Sequence, residues 1–310
     1  MKERESRPVR PERAARALIE GAFRVARELG VERLLVQADR VSDLKQVERQ
    51  REHERVVWVS RGDFTLDTPR GDDDVIELPE VLLSRASQLD MALFMAALTT
   101  DLGTDDSVVC LSGPGSGGSV DTLTLTQPAR RFPWLADRDL ELTRAAVATP
   151  TVARVLSLAL RLAAEGREGR PVGTVFVVGE PEQLEPQVRQ LILNPCSGHP
   201  RRSRNVHNPG LFETIRELVA MDGALLVSPK GTLEAAGLYL SPRTTPRGVK
   251  RGLGARHAAA AGITVEHDPC VAIVVSESSG SVSVYHDGQA ILVLQRPVLG
   301  SMKLHRPLTR

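Results

Sequence analysis

The sequence predicts an α/β protein built in two units, and three observations carry that reading. Short runs of Val, Leu and Ile alternate with stretches of helical periodicity as far as residue 127, a layout that lays helices against a largely parallel sheet. The 310 residues suit two domains at about 150 residues each. With only 2 Trp, 2 Tyr and 6 Phe, the core falls to Leu, Val, Ala and Ile, which fill layered α/β structures.

Each element follows in order. Pro11 to Leu29 repeats Ala14, Ala17, Leu18, Ala22, Val25 and Leu29 at helical spacing and stops at Gly30, a residue suited to the left-handed C-terminal position. Arg33 to Gln37 reads as a strand, Asp43 to Glu54 as a charged helix, and Val56 to Val59 and Val75 to Leu78 as strands. A helix is expected from Ser84 to Leu102, with Leu89, Leu93, Met95, Ala96 and Leu98 among its apolar residues, then a short strand from Val108 to Leu111. Ser119 to Gln127 alternates with period two and closes the unit as an edge strand. Arg130-Arg131-Phe132-Pro133-Trp134 and the charged run to Arg144 break both periodicities. The boundary is therefore placed at 130 to 148, giving domains of 1–140 and 145–310.

The second unit opens with a helix from Val152 to Ala164, halted by Gly166 and Gly169, and continues with a buried-type strand from Val172 to Val178. A long polar loop follows. Asn208-Pro209 is expected to start a helix by a side-chain cap and a proline at its first position, with Leu211, Ile215, Leu218 and Val219 on its apolar face. Strands are expected at 224–227, 271–275, 281–285 and 290–294, the last two joined by Asp287-Gly288.

Forty basic against 39 acidic residues leave a net charge of +1, too little for a global field that would hold a polyanion, so nucleic acid is not an expected partner. No apolar stretch reaches the roughly 18 residues of a bilayer span, and the N-terminal segment is charged where a secretion signal needs apolar residues. The expected location is the cytoplasm, with no membrane partner. Cys110, Cys196 and Cys270 are odd in number and far apart, which fits reduced thiols.

Several motifs have a plain reading. Gly113 to Ser119 follows a strand but lacks the Gly-Lys-Ser/Thr ending of a phosphate-binding loop, and reads as a connection. Cys196, His199 and His207 lack a second cysteine pair for zinc, and Arg201 to Arg204 has no interleaved aromatics for base stacking. The informative set lies between Asp222 and Gly280. Asp222-Gly223-Ala224 puts a carboxylate where a helix hands over to a strand, beside a glycine that lets a ligand approach the backbone. Gly252-Leu253-Gly254-Ala255-Arg256-His257 leads into a run of helix formers, and cations at a helix N-terminus suit a polyphosphate. Ser276-Glu277 follows an apolar strand, and ligands commonly sit beyond strand ends. Taken singly these are a turn, a helix start and a hairpin loop. Together they hold carboxylates for a divalent metal, cations for phosphates and a hydroxyl donor, which are the parts of a nucleotidyl-transfer site.

The DGA motif at Asp222, the GLG-x-RH-x-AA stretch at Gly252 and the VSE-x-x-G motif at Val275, in this order, resemble the diadenylate cyclase domain, the nucleotide-binding domain shared with the DNA integrity scanning protein. That resemblance covers roughly Val152 to Leu294 and implies a mixed central sheet flanked by helices. The preceding unit resembles, by layout, the regulatory or assembly domain of archaeal-type diadenylate cyclases, itself similar to the C-terminal domain of pyruvate kinase. The resemblance implies conversion of two ATP to cyclic di-AMP and two pyrophosphates with Mn²⁺ or Mg²⁺, by a homo-oligomer that is at least a dimer. It implies a catalytic set of Asp222, Arg256 and His257, and nucleotide binding by Gly223, Ala224, Gly254, Ala255, Arg256, His257, Ser276 and Glu277. It places the metal on Asp222, His257 and Glu277. Two positions depart from the family pattern: Ala255 stands where Thr is usual and Ala258 where the last Arg of Arg-His-Arg is usual. Lys250 or Arg251 are candidates to substitute. The alternative expectation is a catalytically weakened sensor that binds ATP or cyclic di-AMP.

Overall fold

The computed structural model describes residues 10–61, 73–79, 81–114, 118–137, 140–244, 246 and 254–296. The first unit comprises α1 (Pro11–Leu29), β1 (Arg33–Gln37), α2 (Leu44–Gln50), β2 (Arg55–Arg61), β3 (Asp74–Leu78), α3 (Arg85–Thr99), β4 (Val108–Ser112) and β5 (Thr122–Thr126). Its sheet runs β3-β2-β1-β4-β5. The first four strands are mutually parallel and β5 pairs antiparallel with β4 at the edge. The helix α1 ends at Gly30 with φ +65°, whose N–H reaches the carbonyls of Ala26 and Arg27, a left-handed stop that glycine adopts without strain. The buried face of α1 is Ala15, Ile19, Ala22, Phe23 and Ala26, whereas Leu29 is exposed. This face is turned by about one position from the stripe read in the sequence. The reason is size: Ile19 and Phe23 remove the most apolar area from water when they point inward.

The connection consists of α4 (Pro128–Arg131), a 3₁₀ turn and α5 (Leu140–Val147). The second unit comprises α6 (Pro150–Glu165), β6 (Thr174–Val178), α7 (Pro181–Leu184), β7 (Val188–Gln190), α8 (Leu211–Leu218), β8 (Ala224–Val227), β9 (Leu233–Leu240), α9 (Ala255–Glu266), β10 (Val271–Val275), β11 (Val282–His286) and β12 (Gln289–Leu294). Its sheet is mixed, in the order β12-β11-β10-β6-β8-β9-β7, with β6 and β8 parallel and the remaining neighbours antiparallel. The helix α8 starts at Leu211, later than the Asn208-Pro209 pair suggested. Asn208 instead organises a turn before it, accepting the Gly210 N–H on its side chain and the Leu211 N–H on its carbonyl. The hairpin at Asp287-Gly288 forms as read, with φ +43° and +75°.

The two units share one apolar core. Phe94 of α3, Phe132 and Trp134 of the connection, and Ile291 and Leu292 of β12 belong to the same buried cluster. The indole N–H of Trp134 donates to the Ile291 carbonyl at 2.8 Å, and the Gln295 N–H donates to the Ser87 hydroxyl at 3.0 Å. Among the described residues no single helix is long and apolar enough to cross a membrane. The helices α5 and α6 pass that test only as a pair bent by 61°, and Leu158, Ala159 and Leu160 of α6 are buried in the core.

Candidate functional site

Sheet register brings the motifs together. Val275 of β10 pairs with Thr174 of β6, and the next β6 residue, Val175, pairs with Ala224 of β8. The three strands therefore stop at one level. One step past that level lie Ser276, Gly173 and Asp222, and Glu277 follows Ser276. This edge is the C-terminal end of β10 but the N-terminal end of the parallel pair β6 and β8, so the rule that ligands sit at the carboxyl ends of parallel strands does not describe it.

The helix α9 delivers its first turn to the same edge. Gly254 is the N-cap, with no side-chain cap, and its carbonyl accepts from the N–H groups of His257 and Ala258. The first-turn amides of an α-helix have no partner within the helix and favour an anion. Arg256, on that turn, donates from Nη1 to Glu277 Oε2 at 3.1 Å and places Nη2 3.6 Å from Asp222 Oδ1. Three predicted residues from three separate segments thus meet at one guanidinium. The Asp222 side chain is 95% exposed and that of Glu277 62%, so both carboxylates are open to a solvent-borne ligand.

The other predicted residues occupy distinct places. Gly223 has φ +122°, and a Cβ there would stand 2.7 Å from the Gly237 backbone carbon. The close passage of β9 by itself requires the lack of a side chain at this position. Ala224 is buried, its side chain in the apolar layer under α9 with Ala260 and Ile263, so only its backbone faces the edge. Ser276 shapes its own turn: its N–H donates to the Ser281 carbonyl, its carbonyl accepts from Gly280, and its hydroxyl accepts weakly from Ser279 at 3.4 Å. Gly254 and Ala255 are exposed, and Ala258 is half-buried.

His257 turns inward. Its Nδ1 lies 3.0 Å from the Tyr285 hydroxyl in a buried contact. Burial pushes the imidazole below its ordinary value and the Tyr285 phenol above its own, so both are neutral near pH 7 and the bond joins uncharged partners. The sequence marks Tyr285 only as a strand residue. Alternation puts it on a strand, but nothing local signals a partner 28 residues away. Gly173 was also missed: a Cβ there would stand 2.6 Å from Arg256 Nη1 and 2.7 Å from Glu277 Cβ.

A divalent cation can be tested against these donors. Asp222 and Glu277 offer the hard oxygens that Mn²⁺ and Mg²⁺ take, and both approach the Arg256 guanidinium, so a metal there would be held jointly with phosphate oxygens. His257 is not gathered with them, and among the described residues no three His, Cys, Asp or Glu side chains form a metal-holding group. Arg204 is engaged by Glu234 and by the His199 and Leu233 carbonyls, and Cys196 is buried. The Gly113 N–H donates to the Gln37 side chain. Residues 115–117, Lys250, Arg251, Gly252 and Leu253 lie outside the described residues.

Two family descriptions match separate stretches of the chain. Residues 161–290 match the family described as "DisA bacterial checkpoint controller nucleotide-binding", and residues 15–131 match "Probable sensor domain DacZ_P". The chain is 31% identical over 188 residues to a diadenylate cyclase of Methanocaldococcus jannaschii, covering 60% of this chain and 59% of that protein. It is 35% identical over 146 residues to a diadenylate cyclase of Haloferax volcanii, covering 47% of this chain and 53% of that protein. The chain thus spans between half and three-fifths of the length of these relatives. Among solved structures it is similar to a hypothetical membrane spanning protein from Bacillus cereus, with a TM-score of 0.36 and 22% identity over 52% of this chain and 74% of that one.

Proposed function

We propose, from the premise that residues 161–290 belong to the DisA-type nucleotide-binding family and residues 15–131 to the DacZ_P sensor family, that this chain is a diadenylate cyclase. The observation that carries the reading is the convergence of Asp222, Arg256 and Glu277 at one sheet edge. In the reaction, the ribose 3′-oxygen of one ATP attacks the α-phosphorus of the other, the new P–O bond forms, and the bond to the β-phosphate oxygen breaks to release pyrophosphate. The reciprocal attack closes cyclic di-AMP.

In this reading Asp222 orients the 3′-hydroxyl and accepts its proton. Arg256 leaves its carboxylate partners for the triphosphate, where a guanidinium can bind two oxygens at once. The first-turn amides at Ala255 and Arg256 add partial positive charge at the same phosphates. His257, with Nδ1 engaged by Tyr285, has Nε2 left for the phosphates. The Ser276 hydroxyl is the donor for the terminal phosphate. Mn²⁺ or Mg²⁺, held by Asp222 and Glu277, supplies charge neutralisation on the phosphoryl oxygens when bound.

The chain offers one such set of residues, enough for one ATP, so two cyclase domains must face each other across a two-fold axis. The sensor unit before residue 140 then regulates or assembles the pair. Three buried, unbonded thiols suit a reducing compartment, the cytoplasm. A second reading, a nucleotide-binding sensor with weakened catalysis, draws on Ala255 and Ala258, each of which removes a polar contact from the α9 terminus. Incubation with ATP and Mn²⁺ followed by mass spectrometry separates the two. Cyclic di-AMP from wild type and none from Asp222→Ala supports the cyclase. Tight ATP binding by calorimetry without turnover across several metals selects the sensor.

A further inference from the structure

We infer that Gly173 is a positioning residue for Arg256: the absence of a side chain at the foot of β6 is the seat in which the guanidinium meets Glu277. The inference rests on the nucleotidyl-transfer reading of Arg256 for its functional consequence, but not for its geometry. A Cβ at residue 173 would stand 2.6 Å from Arg256 Nη1, 3.2 Å from its Cζ and 2.7 Å from Glu277 Cβ, all inside ordinary contact. Gly173 is not among the glycines with positive φ, so an L-residue fits its backbone. Glycine is therefore needed there for room and not for conformation.

The room has a specific user. Arg256 is 37% exposed at its side chain and would sweep many rotamers if its seat were filled. Holding it at Glu277 and Asp222 keeps the cation at the strand ends before substrate arrives, and preorganised charge lowers the cost of ordering it during the reaction. An added methyl acts unequally on its two neighbours. The far end of Arg256 swings away easily, whereas the Glu277 Cβ is tied to the backbone of the turn. The expected result of Gly173→Ala is thus a displaced guanidinium together with a small shift of the turn at Glu277, in a folded protein.

The test is a double-mutant cycle in the full chain with two readouts. In the first, Gly173→Ala lowers kcat/KM for ATP by on the order of tenfold, the loss of one charge-assisted hydrogen bond, with KM bearing most of the change. Added to Arg256→Ala, the same substitution lowers kcat/KM by clearly less than it does alone, because contacts that act through one residue are not additive, and what remains comes from the methyl against Glu277 Cβ. In the second, phenylglyoxal modification of Arg256 is timed by peptide mass spectrometry without nucleotide. Gly173→Ala speeds it severalfold, and Glu277→Gln, which leaves the seat intact and removes the charged partner, speeds it too. Equal modification rates in wild type and Gly173→Ala, or an equal kinetic penalty with and without Arg256, overturn the inference. Faster modification in a protein that forms no cyclic di-AMP upholds the seat and refutes the cyclase reading instead.

Discussion

Replacing Tyr285 by Phe isolates one buried polar contact at the site. The substitution removes a hydroxyl and keeps the ring, so the apolar layer around Ala260, Ile263 and Val274 stays filled and no sizeable cavity term enters. What is lost is the 3.0 Å bond to His257 Nδ1, and His257 is only 6% exposed, so water cannot readily replace the partner. A net hydrogen bond between neutral groups contributes about 1 kcal/mol, and a buried group left unpaired costs about 1–3 kcal/mol. The expected destabilisation is about 1–2 kcal/mol, read as a lower urea midpoint by far-UV circular dichroism at unchanged slope. Activity should fall as well, because His257 is then free to rotate, whereas Arg256 modification should not change. A loss under about 0.5 kcal/mol with unaltered turnover would refute the argument that Tyr285 holds the imidazole.

Three further outcomes are expected. Burial holds the His257 imidazole below its ordinary 6.5, so on acidification the unfolded chain takes up the proton first; the stability contribution is complete above that ordinary value and is lost as pH falls through the folded-state value. The stability difference between wild type and His257→Gln should therefore shrink from about pH 7.5 to about pH 5, and a constant difference contradicts the assignment. Gly223→Ala forces a side chain at φ +122° into the backbone at Gly237, 2.7 Å away, and should cost more than about 3 kcal/mol; a thermal midpoint within a degree of wild type would show the close passage to be soft. In an equal mixture of exchanging wild-type and Asp222→Ala subunits, random pairing of dimers should leave about a quarter of the wild-type rate, whereas half would mean that each subunit works alone.

Much of the fold is legible because apolar runs bound it. The strands β8 and β10 start and stop where Leu, Val, Ile and Ala runs do, β1 extends its Leu-Leu-Val run by one residue at each end, and the alternating Thr and Leu of β5 belong to a half-exposed edge. β9 was not read, since Leu233–Leu240 contains Glu234, two alanines and Gly237 and lacks β-branched residues. β7 is three residues, two of them polar and exposed, and its strand character comes from pairing with β9. The site shows the same split. Asp222, Arg256 and Glu277 stand out by residue type, but their meeting depends on the register of β6, β8 and β10, which local pattern does not fix. Gly173 and Tyr285 carry no local signal, because what each does is defined by an atom on another element.

Cyclisation is read out by following the phosphorus of ATP through the reaction by ³¹P NMR, with Mg²⁺ present and the protein above its association concentration. Two pyrophosphates are expected per cyclic di-AMP formed, with no build-up of ADP, because each 3′-oxygen displaces one pyrophosphate at the α-phosphorus. Release of inorganic phosphate and ADP, or a spectrum of unchanged ATP with bound nucleotide only, would contradict cyclisation.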